Sequence, residues 1–372
     1  MRIFLLLLCS PALAQPGSLV FHNSTEGYHT FRIPSLSVTA AGTFLAFAEG
    51  RARNGFYPPH GDTTDCYGEG ASAADWRCTN KDIVLKRSLD RGATFLPLAC
   101  IAAANETHFY TNPQTLIAGS TIYLQFMRCV SPTNGGNAFV NCTAVMSRSE
   151  DDGLTFTRFT DISPVQSSSG GFGGVIARSG RLVFSAPGTA TTGALLSDDG
   201  GASWRWGAPA AGGGGENQIA VGGGSGAGSL LMTVRRKNNT RELLRSEDGG
   251  ETWGPAARQA VTDPDCQASM IRVFGSSGPQ WLLFANPHTS GLLPYAEGRQ
   301  NVTVQGSVDE GASWQPFFLV DSGPSAYTSL AQLRQEGRGP GSCGVLYEES
   351  GDLPLDFRSI RFVAFDCAPP TV

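Results

Sequence analysis

Of the 27 basic residues only Lys81, Lys86 and Lys237 are lysines, and the remaining 24 are arginines. A guanidinium is a planar, permanently charged fork that grips a carboxylate through two parallel hydrogen bonds, so this surplus points first to fixed recognition of an anion. A GC-rich coding sequence, which abundant Ala and Gly also suggest, explains the total equally well, so single arginines have to be argued by position. Other chemistries lack the spacing they need. The five histidines, His22, His29, His60, His108 and His288, form neither H-E-x-x-H nor another metal-ligand pattern, and neither a metal nor a cofactor is expected. The G-x-S-x-G and G-x-x-x-x-G-K-[ST] units are absent, which argues against serine hydrolases and phosphate-loop NTPases.

The rest of the composition narrows the class further. The 372 residues carry a net charge of −5, which disfavours nucleic acid or an anionic membrane as partner. Only 16% of residues are charged, while 47 Gly and 22 Pro favour many short strands joined by tight turns over helical bundles. Met1-Arg2, the apolar run at 3–9 and Ala12-Leu13-Ala14 read as a signal peptide over residues 1–14, cleaved after Ala14. Residues 15–372 then form a single domain, secreted or lumenal in the secretory or lysosomal pathway. No later stretch reaches the roughly 18 apolar residues of a transmembrane helix.

Cleavage leaves Cys66, Cys78, Cys100, Cys129, Cys142, Cys266, Cys343 and Cys367, an even set that suits four disulfides. Zinc fits poorly without a C-x-x-C pair. The short-range bridges expected are Cys66–Cys78 and Cys129–Cys142. Sequons beginning at Asn23, Asn105, Asn141, Asn238 and Asn301 agree with a glycosylated exported protein.

The architecture follows from a repeat. The pattern Ser-x-Asp-x-Gly-x-(Thr/Ser)-aromatic occurs at residues 88–95, 149–156, 197–204, 246–253 and 307–314, with starts 61, 48, 49 and 61 residues apart. Asp accepts hydrogen bonds from nearby backbone N–H groups, Gly permits positive φ, and the aromatic anchors the turn, so each copy is a hairpin clasp without catalytic chemistry. Apolar strands such as Ile83-Val84-Leu85 and Leu243-Leu244 precede the copies, which places each between two outer strands of a propeller blade. Division of the mature chain by a blade of about 60 residues gives about six, an all-β six-bladed propeller. Its ring closes if a strand at 359–366 shares a blade with the N-terminus.

Phe31-Arg32-Ile33-Pro34, followed by a strand over 42–49 and by Arg51, resembles the exo-α-sialidases, or neuraminidases, and the five clasps resemble that family's Asp boxes. The likeness runs from about Phe21 to Asp366 and is closest to cellular, lysosomal-type and bacterial members. It implies removal of terminal sialic acids from glycoproteins, glycolipids and oligosaccharides. Three arginines then hold the substrate carboxylate: Arg32, Arg235 in Met232-Thr233-Val234-Arg235, with Arg236 as a one-residue shift that would face the other side of the strand, and Arg299 ahead of the last box.

A retaining mechanism with a tyrosine nucleophile is implied, because a carboxylate would be repelled by the substrate's own. Gly323-Pro324-Ser325-Ala326-Tyr327-Thr328 marks Tyr327 as that nucleophile, and Glu216, nineteen residues before Arg235, as the group that takes its proton. Glu348 matches the carboxylate that orients the first arginine. Arg51 matches a further pocket arginine, and Asn112 bears a thin likeness to a group facing the N-acyl substituent.

The acid/base falls in the long loop 52–81, at Asp75, where Trp76 could raise the carboxyl pKa, or alternatively at Asp62. Asp82 is assigned to the strand that follows. Two other functions stay open, a propeller that binds sialylated glycans without turnover and a trans-sialidase. The preferred sialic acid, its linkage and the oligomeric state are not legible in one sequence.

Overall fold

The computed structural model describes residues 17–53, 81–130, 142–166, 173–187, 192–210, 215–224, 226–236, 239–274, 280–289, 298–333, 342–351 and 357–368, and their regular structure is entirely β. A short opening strand, β1 (Ser18–His22), precedes the first sheet, β2 (Tyr28–Val38), β3 (Phe44–Arg53), β4 (Lys81–Ser88) and β5 (Ala99–Ala102). The second sheet is β6 (His108–Ala118), β7 (Thr121–Val130), β8 (Cys142–Ser149) and β9 (Thr160–Gln166). The third is β10 (Gly174–Ile176), β11 (Leu182–Pro187), β12 (Thr192–Ser197) and β13 (Arg205–Trp206). The fourth is β14 (Gly215–Val221), β15 (Leu230–Arg236), β16 (Thr240–Ser246) and β17 (Ala257–Arg258).

The remaining strands, β18 (Ser269–Val273), β19 (Trp281–Pro287), β20 (Gln300–Ser307), β21 (Gln315–Gln332), β22 (Ser342–Ser350) and β23 (Phe357–Asp366), join β1 in one seven-stranded sheet. The cause is the length of β21. Residues Gln315 to Pro324 pair with β20, and Ser325 to Gln332 pair with β22.

The arrangement is propeller-like. The strands β2, β6, β10, β14, β18 and β21 touch one another in a closed cycle and line a common axis. Chain ends close the ring by hydrogen bonding, since β1 pairs with β23 from Ser18↔Phe362 to His22↔Ser359. Neighbouring sheets pack face to face, which explains why β12 and β19 are buried at every residue described rather than alternating. Among the described residues six apolar clusters lie between successive groups of strands, and each takes in the aromatic of one clasp or packs strands of the closing pair.

All five Asp boxes sit between the third and fourth strands of a group and share one geometry. In the first, Ser88 Oγ donates to Asp90 Oδ1 at 2.8 Å, Gly92 N donates to Ser88 Oγ at 2.8 Å and Thr94 N donates to Asp90 Oδ1 at 2.9 Å. The motif glycines all have positive φ, from 78° at Gly153 to 85° at Gly92, a region closed to most side chains. These bonds hold the carboxyls of Asp90, Asp151 and Asp199 at about 2, through the box Thr or Ser side chain first, its backbone N–H next and the leading Ser after that.

A carboxyl depressed below its unfolded value of about 3.9 supplies stability that is complete above that value and is lost as pH falls through the folded one. The thermal midpoint is therefore expected to fall between roughly pH 4 and pH 2, and an Asp90→Asn, Asp151→Asn, Asp199→Asn triple variant should show a shallower acid limb. Identical limbs would refute the assignment.

Cys129–Cys142 is a disulfide joining β7 to β8, as the sequence suggests. A second bridge, Cys343–Cys367, ties β22 to the residue after β23. The expectation of four disulfides needs correction: Cys266 is a free thiol, fully buried, which leaves an odd number of others. Cys66, Cys78 and the signal peptide lie outside the described residues.

Candidate active site

The innermost strands are irregular at one level, and that irregularity builds the site. β2 slips register between Arg32 and Ser35, β6 between Thr111 and Gln114, β14 between Gly215 and Asn217, and β21 between Ser325 and Thr328. Each bulge carries a residue of interest: Arg32, Asn112, Glu216 and Tyr327. Extra residues in one strand re-aim a side chain off the alternating pleat, here towards the axis. Pro34 and Pro113 lack the N–H a regular ladder would require, so two of the bulges are written in the sequence. Backbone strain collects at the same level, with φ of 60° at Ile33, 56° at Asn112, 28° at Glu216 and 54° at Asp265.

Tyr327 stands at the centre, 7% exposed and packed on Ile33, Cys266 and Ala326. Its hydroxyl donates to Glu216 Oε1, and the other oxygen of Glu216 takes Arg235 Nη1. Arg235 Nη1 also reaches the phenol oxygen at 3.5 Å. Two more guanidinium groups lie over the ring, Arg32 with Cζ 4.8 Å from its centroid and Arg299 at 6.0 Å. Burial pushes the phenol well above its ordinary pKa, Glu216 pushes further, and Arg235, Arg32 and Arg299 pull back without cancelling the rise. At rest the nucleophile candidate is neutral.

Every arginine of the trio is held from behind. Glu348, 0% exposed, accepts Arg32 Nε at 3.1 Å and Nη2 at 2.8 Å, and it also accepts the backbone N–H groups of Ile33 and Tyr327. Burial is the largest single influence and opposes the Arg32 charge, yet Glu348, Tyr327 and Glu49 together outweigh it and keep the guanidinium protonated. Arg235 Nε donates to Asp265 Oδ1 at 2.7 Å, and Arg299 Nη2 donates to the carbonyl of the same residue at 2.6 Å. Arg236 turns away to pair with Glu242, so of the two neighbours it is Arg235 that reaches Tyr327.

Arg51 runs alongside, 2% exposed, with Nε and Nη2 on Glu49. Burial alone would raise the Glu49 carboxyl; Arg51, Lys81, Thr111 Oγ1 and Asn112 N together take it below the usual carboxylate range. Asp82 is structural, accepting from Tyr28 Oη at 2.7 Å and Ala104 N at 2.7 Å.

The structure thus gathers Arg32, Arg235, Arg299, Tyr327, Glu216 and Glu348 around one point, although they come from β2, β15, β14, β21, β22 and the turn before β20. Asp75 and Asp62 lie outside the described residues. Sequence reasoning missed Asp265 and Glu49. Glu49 had a signal, since it precedes Arg51 by two on a strand and so shares its face; Asp265 had none, because it acts across 30 residues from an irregular connector.

Residues 79–340 match the BNR repeat-like domain family. The chain is 27% identical over 384 positions to a sialidase of Micromonospora viridifaciens, covering 94% of this chain and 54% of that protein. It is 28% identical over 370 positions to a sialidase of Bacteroides fragilis, covering 89% and 62%. The chain therefore spans between half and two thirds of the length of these curated relatives. Among solved structures, the Hadza microbial sialidase Hz136 superposes with a TM-score of 0.75 at 24% identity, over 94% of this chain and 68% of that one, a likeness of fold.

Proposed function

Because the chain belongs to the BNR repeat-like domain family, we propose that it is an exo-α-sialidase that removes terminal sialic acids from glycoproteins, glycolipids and oligosaccharides with retention. The observation that carries this reading is the hydrogen bond from the Tyr327 hydroxyl to Glu216 beneath three converging guanidinium groups. A sialoside bears a carboxylate on the carbon to be attacked. Arg32, Arg235 and Arg299 bind that carboxylate and fix the anomeric carbon over the phenol.

Tyr327 Oη forms the bond to the anomeric carbon as its proton passes to Glu216 Oε1, and the glycosidic bond breaks with a proton from Asp75, or Asp62, to the leaving oxygen. Water, deprotonated by the same aspartate, then displaces the tyrosine, and Glu216 returns the proton to it. Two inversions give retention. A phenol serves better than a carboxylate here because it brings no charge towards the substrate's anion until Glu216 has taken the proton.

The same reading covers the fold and its setting. The seven-stranded sheet is two four-stranded blades that share β21, which makes six blades with the other four sheets. Residues 15–372 form one domain, and export behind the signal peptide at 1–14 places it in a secretory or lysosomal lumen or outside the cell, where the disulfides Cys129–Cys142 and Cys343–Cys367 are stable.

The test is the wild-type protein on a fluorogenic α-sialoside, with proton NMR following the sugar released. Free sialic acid should appear first as the α-anomer. Release of the β-anomer first would overturn retention, and no release of sialic acid would overturn the activity.

A further inference from the structure

Glu216 has two oxygens and two partners, and something must keep it from giving both oxygens to the stronger one. Oε1 accepts the Tyr327 hydroxyl, and Oε2 accepts Arg235 Nη1. An arginine beside a carboxylate ordinarily closes a two-bond fork, with Nε–H and one Nη–H on the two oxygens. Such a fork would take Oε1 away from the phenol. The Nε edge is closed to Glu216, since Arg235 Nε is on Asp265 Oδ1 at 2.7 Å, and Glu216 takes Nη1 alone.

Asp265 is well placed for this task. It lies in the connector leading into β18, with φ of 54°, a left-handed conformation that Asp and Asn tolerate better than most residues. The connector is fixed on both sides. Asp263 forms a fully buried ion pair with Arg241, whose Nη2 donates to the Cys266 carbonyl. Gln267 exchanges two hydrogen bonds with the backbone of Thr328, next to the nucleophile candidate, at 2.8 and 2.9 Å. The Asp265 carbonyl also takes Arg299 Nη2, so one residue sets the spacing of two arginines.

We propose that Asp265 is a positioning residue that holds Glu216 to a single bond with Arg235 and so reserves the second Glu216 oxygen for the Tyr327 proton. The inference rests on the sialidase reading above. It differs from a structural role because it concerns one proton transfer, in which the phenol O–H bond breaks and a Glu216 O–H bond forms.

The test compares Asp265→Gly with Asp265→Asn. Glycine adopts the positive φ without strain and removes the carboxylate; asparagine keeps an oxygen for Arg235 Nε. For Asp265→Gly, kcat on the sialoside should fall by ~30-fold, while affinity for a dehydrated sialic-acid analogue changes by less than about 3-fold, because the carboxylate-binding arginines stay paired. Asp265→Asn should recover most of kcat.

In the crystal structure of Asp265→Gly, Glu216 should place both oxygens on Arg235 and none on Tyr327, a readout that does not depend on turnover. If the glycine variant fails to fold, Asp265→Ser, too short to reach Nε, replaces it. Unchanged kcat in a folded variant, a loss that falls wholly on analogue affinity, or a Glu216 still on the phenol would each overturn the proposal. An inactive wild type whose variant nevertheless shows the Glu216 shift would sink the sialidase reading and leave the positioning role standing.

Discussion

Tyr327→Phe is expected to lower kcat on a sialoside by at least ~1,000-fold while leaving the protein folded, since a covalent route loses its attacking atom. The substitution removes one oxygen and nothing else from the packing: the ring stays against Ile33, Cys266 and Ala326 and under the Arg32 guanidinium. Its thermal midpoint should therefore stay close to wild type, and the carboxylate-bearing analogue should still bind. The pH dependence supplies a second check. Because the phenol is held well above its ordinary pKa by burial and by Glu216, its ionisation stays out of the neutral range, and raising the pH from 7 to 9 should bring no gain from free phenolate. A variant with wild-type kcat would remove Tyr327 from the chemistry, and a steep activity gain above neutrality would contradict its protonation at rest.

The parts of this protein that were legible in its sequence are those whose causes are local. An Asp box closes on itself within eight residues, so its five copies announce hairpin turns, and their spacing announces a propeller-like succession of short antiparallel sheets. Phe31-Arg32-Ile33-Pro34 was legible through its likeness to the sialidase motif, and the structure supplies a local cause beside it: β2 slips register between Arg32 and Ser35, around a proline that has no N–H for the ladder. Arg235 could be preferred to Arg236 only as a matter of strand alternation, and the opposite directions of the two side chains, one to Glu216 and one to Glu242, are that alternation realised.

What was hidden depends on contacts across the ring. The grip of Asp265 on Arg235 and Arg299 is made by a connector with no periodicity of its own. The unpaired state of Cys266 follows from where the connector buries it, beneath Tyr327, since parity of the cysteines pointed to four bridges. Burial there pushes the thiol up to about 11, so it stays protonated and unreactive at neutral pH. The double use of β21 was also beyond the sequence, because its eighteen residues serve two neighbours on either side of Pro324 and Ser325.

Glu348→Ala should cost the fold about 3–5 kcal/mol, the loss that follows when one partner of a buried ion pair is deleted. Glu348 is fully buried and accepts four N–H groups: two from Arg32, one from Ile33 and one from Tyr327. Alanine removes the acceptor of all four and takes from the Arg32 charge, only 6% exposed, the carboxylate that forks it. Against a typical domain stability of about 5–15 kcal/mol this is a large fraction, readable as a lowered midpoint in urea. Glu348→Gln should fall between the two, because the amide keeps one acceptor but turns an N–H₂ towards the guanidinium.

A double variant separates stability from recognition. With Arg32→Met added to Glu348→Ala neither charge of this pair is left buried, so much of the lost stability should return. Binding of the carboxylate-bearing analogue should not return with it, because the proposed function makes Arg32 part of the anion site. A single Glu348→Ala variant that loses less than about 1 kcal/mol would show that solvent or another group compensates Arg32. A double variant that regains analogue binding along with stability would remove Arg32 from the trio.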